Sequence, residues 1–85
     1  MDLNEHEKRV VSHSLTGSNR SGKVYRNYYL AGPGHHSWTA LQSLVEKGAM
    51  TEGRRVARNF PEPQSVYFHA TEAGAYAVGL CLPHD

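Results

Sequence analysis

The stretch from Ser37 to Ala70 constrains this chain most. Trp38, Leu41, Leu44 and Val45 recur at helical spacing, Ser37 stands where an N-cap belongs, and Gly48 sits where a helix stops. Thr39, Gln42, Ser43, Glu46 and Lys47 are left on the outward side. The period then changes. Met50, Val56 and Phe60 are spread among polar residues over 49–60, the turn formers Pro61 to Gln64 intervene, and Ser65 to Ala70 (SVYFHA) has the composition of a strand. A helix that halts at a glycine and is followed by two strand-like runs around a turn predicts an antiparallel hairpin lying back on the helix.

The remaining segments are arranged around that unit. Leu3, Val10, Val11 and Leu15 predict a short, weakly amphipathic helix over 3–14, with Glu5, His6, Lys8 and Arg9 on its wet side. Thr16 to Gly22 is a run of turn formers without an apolar anchor and reads as a loop, so residues 1–22 are expected to attach loosely to a core of 23–80. Lys23 to Leu30 (KVYRNYYL) supports two readings. Alternation makes it a strand, whereas Ser21 as N-cap, Tyr25, Tyr28 and Tyr29 on one side and Gly32 as stop make it a helix, the reading favoured here. Gly32, Pro33 and Gly34 then force a turn. Thr71 caps a final helix, Glu72 to Leu80, whose Ala73, Gly74 and Ala77 permit close packing. The fold class expected is α+β: a small winged-helix-like domain of three to four short helices and a two-stranded antiparallel hairpin.

Eighty-five residues of which 39% are apolar support one core, which excludes a separate cofactor domain. A single cysteine, Cys81, rules out an intrachain disulfide framework and points to a cytoplasmic compartment, where the thiol is read as a small buried hydrophobe. No apolar run reaches signal-peptide or membrane-spanning length. The net charge of +1 hides an uneven distribution. Residues 20–58 hold Arg20, Lys23, Arg26, Lys47, Arg54, Arg55 and Arg58 against only Glu46 and Glu52, so an acidic partner is expected to dock on the middle third.

The run Leu44, Val45, Glu46, Lys47, Gly48 and Met50, then a basic hairpin, then Phe68, Thr71, Glu72, Ala73 and Gly74, resembles the winged helix-turn-helix of small bacterial and phage regulators over about residues 37–80. YRN, GPG, LVE-G-M and TEAG in this order are also similar to short phage or prophage proteins of unassigned function. The resemblance implies a non-enzymatic protein that binds duplex DNA or a nucleic-acid-handling complex, and it leaves a homodimer open.

On that reading Ser37, Thr39, Gln42 and Ser43 meet base edges, Arg54, Arg55 and Arg58 on the wing neutralise phosphates, and Lys23, Arg26 and Lys47 complete the nucleic-acid-binding set. The plainer alternative is a solvated hairpin edge guarded by charge. A function of a different class is a protein–protein inhibitor or adaptor acting on a host defence or transcription complex, gripping through Tyr25, Tyr28, Tyr29, Trp38 and Tyr67. No cofactor is expected. No metal site is expected either, because His35–His36 and the Cys81–His84 spacing fall short of a four-ligand set. Nucleophile elbow, phosphate loop and paired carboxylates are missing from the sequence, which argues against catalysis.

Overall fold

Asn4 starts the first helix, α1 (Glu5–Thr16), through a reciprocal cap: its Oδ1 accepts from the Glu7 amide at 2.8 Å, and Glu7 Oε1 accepts from the Asn4 amide at 2.8 Å. This computed structural model describes residues 1–17, 23–56 and 65–82. The inward side of α1 is Glu7, Val10, Val11, Ser14 and Leu15, the i, i+3, i+4, i+7, i+8 set of one helix face. Val11 and Leu15 have no exposed surface. The expectation of a loosely attached helix is therefore corrected: α1 is part of the core. Its amphipathicity looked weak because three of its buried residues, Glu7, Ser14 and Thr16, are polar. Ser14 Oγ donates to the Val11 carbonyl at 2.6 Å, and the Glu7 carboxylate accepts from three donors, the Asn4 amide and two side chains of the second helix described below.

The favoured helix over 23–30 is also corrected. Residues 23–28 run without regular structure into a short strand, β1 (Tyr29–Ala31). Their amides are engaged elsewhere: those of Tyr25 and Arg26 donate to the Leu15 carbonyl at 3.1 and 3.3 Å, and that of Tyr28 donates to Ser14 at 3.0 Å. These carbonyls lie in the last turn of α1, where a helix leaves acceptors unpaired. The Asn27 side chain extends the pattern by pairing with the backbone of Ala70, accepting from its amide at 2.7 Å and donating to its carbonyl at 3.0 Å.

The second helix, α2 (Trp38–Lys47), buries Leu41 and Leu44 completely and sets the Trp38 ring edge-on to Phe68 at 5.7 Å. Gly48 ends it at φ 81°, the left-handed conformation in which glycine carries no Cβ penalty, and the Ala49 amide closes the turn on the Leu44 carbonyl at 2.9 Å. The chain then forms β2 (Met50–Val56) and β3 (Ser65–Ala70), paired antiparallel from Met50–Ala70 to Val56–Ser65 with an irregularity between Glu52 and Arg55. The predicted ribbon is thus present, but it belongs to a three-stranded antiparallel sheet of order β1-β3-β2 rather than to a two-stranded hairpin. Val66, Phe68 and Ala70 alternate inward from the central strand.

Thr71 caps α3 (Glu72–Ala77), accepting from the Gly74 amide at 3.1 Å. The helix is shorter than predicted: Gly79, at φ 76°, turns the chain and the Leu80 amide returns to the Ala75 carbonyl at 2.8 Å. Thr71 Oγ1 also donates to the Gly48 carbonyl at 2.6 Å and its amide donates to that of Ala49 at 3.0 Å, joining the roots of β2 and β3. Gly74 lies so close to the Ala49 carbonyl that no Cβ fits between them. The result is a small α+β domain of three helices and one three-stranded antiparallel sheet.

Candidate nucleic-acid interface and a histidine-lined groove

Outward-facing positions of α2 and β2 hold four of the ten residues expected to meet nucleic acid: Thr39, Gln42, Arg54 and Arg55. Thr39 is exposed and Gln42 half-buried, and among the described residues neither side chain makes a hydrogen bond. Arg54 and Arg55 are exposed on β2; Arg55 pairs with Glu52 at 2.9 Å, while Arg54 has no ion-pair partner among the described residues. Arg58 lies outside the described residues. Lys23 is exposed beyond the end of α1.

Three other candidates are committed inside the fold. Ser37 is 1% exposed, its Oγ accepting from the Tyr29 hydroxyl at 3.1 Å and its amide donating to His35 Nδ1 at 3.0 Å, so it is not available to a base edge. It occupies the N-cap position of α2 without a side-chain capping bond. Ser43 Oγ donates to Glu7 Oε2 at 2.7 Å. Lys47 Nζ reaches Glu7 Oε1 at 2.7 Å and the Asp2 carbonyl at 2.8 Å. Burial alone would push the Glu7 carboxyl up, but the Lys47 ammonium, the Asn4 backbone and the Ser43 hydroxyl outweigh it and hold the group at about 2. Glu7 therefore staples α1 to α2 and neutralises the only cation on the second helix.

The five aromatic residues proposed as a grip divide between two places. Tyr25 and Tyr28 are exposed, with the Arg26 guanidinium 4.7 Å from the Tyr28 ring and 5.7 Å from that of Tyr25, and Tyr67 meets Tyr28 edge-on at 6.0 Å. Arg26 is itself anchored, donating from Nη2 to the His13 carbonyl at 2.7 Å. Tyr29 and Trp38 are apart from this cluster. Tyr29 aligns with core residue Phe68 while Leu30 aligns with Tyr67, so alternation places them on opposite faces of the sheet.

Sequence reasoning missed a groove of about 770 Å³ between α1 and the turn before α2. Four of the six histidines line it: His6 and His13 on one bank, His35 and His36 on the other. Tyr29 stands between the banks, edge-on to His13 at 5.5 Å and to His35 at 5.7 Å. The two loop imidazoles stack at 4.3 Å with 25° between their planes. Burial, and then the neighbouring His36, lower the His35 pKa. Accepting from the Ser37 amide at Nδ1 places the proton of the neutral His35 ring on Nε2. The only sequence signal was the i, i+3, i+7 stripe His6, Arg9, His13, and nothing in the sequence placed His35 and His36 across from it.

Among the described residues no group of three or more His, Cys, Asp or Glu side chains is arranged to hold a metal ion. Cys81 is exposed, not the buried hydrophobe expected: its neighbours Leu80 and Leu82 pack against the core while Cys81 faces solvent between them. No helix of the described residues is long and apolar enough to cross a membrane. Compared with models of known families, with curated proteins and with solved structures, the chain matches none.

Proposed function

We propose that the domain is a winged helix that docks on duplex DNA, or on a complex that handles it, with α2 and the β2–β3 ribbon as contact elements. The reading places it in the cytoplasm as a non-enzymatic protein of phage or prophage origin. The observation that carries it is the connection of α2 through Gly48 directly into a ribbon bearing exposed Arg54 and Arg55. Thr39 and Gln42 remain open on the helix, whereas Ser37, Ser43 and Lys47 are occupied within the protein. Phosphate contact therefore dominates over base reading, and affinity should depend steeply on salt and weakly on sequence.

Fluorescence anisotropy on a duplex across a salt series tests this. Replacing Arg54 and Arg55 together by alanine should flatten the log–log salt slope by about 2, since each phosphate contact contributes roughly 0.9. An unchanged slope would refute the assignment of the ribbon. A second reading, a protein-binding inhibitor or adaptor, is favoured by one specific feature: Tyr25 and Tyr28 are 61% and 43% exposed around a stacked arginine, the residue types enriched at binding hot spots. Capture of a host protein that survives nuclease treatment and is lost in Tyr28→Ala would select it.

A further inference from the structure

The histidine-lined groove lies on the side of α1 away from Glu7, and neither reading above uses it. Its size falls within the roughly 300–1,000 Å³ of small-molecule sites. Its chemistry is lopsided. His6, Arg9 and His13 form one stripe of α1, three and four residues apart, and Arg9 is exposed with no ion-pair partner among the described residues. The carboxylate on this lining is Glu5, which already faces Lys8 at 3.9 Å. One bank thus offers an unpaired guanidinium flanked by imidazoles, a donor set suited to phosphate oxygens. The other bank offers a flat surface: His36 is exposed and stacked on His35, which is fixed by the Ser37 amide, so a planar ring laid on His36 becomes the third layer of an existing stack.

We propose that this groove binds a nucleoside 5′-monophosphate, with the phosphate on Arg9 between His6 and His13 and the base on His36. The nucleotide is either free or the 5′-phosphorylated end of a strand; both present the same phosphate and base. The site is independent of the α2–ribbon face, so its success or failure leaves the duplex reading untouched.

Titration calorimetry of the whole chain, with the imidazole resonances followed by NMR, tests it using AMP, adenosine, inorganic phosphate and a 5′-phosphorylated trinucleotide. AMP or the trinucleotide should bind with a dissociation constant near or below about 1 mM, and adenosine and phosphate should each be at least about tenfold weaker. AMP alone binding identifies a free nucleotide; a tighter trinucleotide identifies a strand end. Arg9→Ala and His36→Ala, both at exposed positions, should each weaken the favoured probe about tenfold while circular dichroism and duplex affinity stay as in the parent. The proposal is overturned if neither nucleotide probe saturates, if phosphate alone binds as well as AMP, or if both variants bind like the parent.

Discussion

Replacing Glu7 by Gln isolates the charge of the α1–α2 staple. Glutamine keeps the shape and an acceptor oxygen for the Asn4 amide and the Lys47 ammonium, and its amide can donate to Ser43 Oγ, so the hydrogen-bond count survives while the anion is lost. Lowering a carboxyl from 4.5 to about 2 corresponds to about 3 kcal/mol of preference for the ionised form in the folded protein. The Lys47 side chain remains 37% exposed, and solvent screening at that end reduces the expected loss to about 2 kcal/mol. For a chain of this size, with total stability on the order of 4–13 kcal/mol, that is a large fraction.

Because the folded value lies below the unfolded one, the stabilisation is complete above about pH 4.5 and is lost as pH falls toward 2. Urea unfolding, in a denaturant that adds no ions, should therefore place Glu7→Gln about 2 kcal/mol below the parent at pH 7, a midpoint shift of roughly 1–2 M. The two curves should converge near pH 2. An equal deficit at pH 7 and pH 2 would mean the loss is steric, and no deficit at pH 7 would mean the ion pair is offset by its desolvation; either result refutes the reasoning.

Two further substitutions probe the packing that positions the ribbon. Gly74→Ala drives a Cβ into the Ala49 carbonyl, a backbone atom that cannot swing aside, and thermal unfolding should show a loss of about 2 kcal/mol, at the level of an overpacked core. Full retention of the parent midpoint would show that α3 can move away at no cost. Asn27→Ala removes both bonds to the Ala70 backbone and leaves its amide and carbonyl unpaired, which should cost about 2 kcal/mol and speed hydrogen exchange at the Ala70 amide before exchange in α2 changes.

The helix from Trp38 and the ribbon after it were legible because the signals were local: an apolar stripe, a glycine at the one position needing φ 81°, and a change of period immediately beyond it. Thr71 was legible for the same reason, since a cap acts within three residues of itself. The docking of α1 was hidden because Glu7 and Ser14, which occupy the buried face, score as wet in any periodicity count. The strand at Tyr29 was hidden because the tyrosine spacing fits a helix equally well; what decides against one is that the amides of Tyr25, Arg26 and Tyr28 are taken by carbonyls of Ser14 and Leu15, a long-range fact. The same holds for the sites. Residue type marked Arg54 and Arg55 as exposed cations, but no spacing rule places Tyr29 over Ser37 or brings His13 opposite His35.

The double attachment of Thr71 to the end of α2 has a mechanical outcome. With its hydroxyl on Gly48 and its amide on Ala49, the two legs of the ribbon are clasped where they leave the body, and the angle between the arm and the helix is set before any encounter. A surface that touches both at once meets two elements already tied together at their base, so that share of the ordering cost of contact is met within the fold.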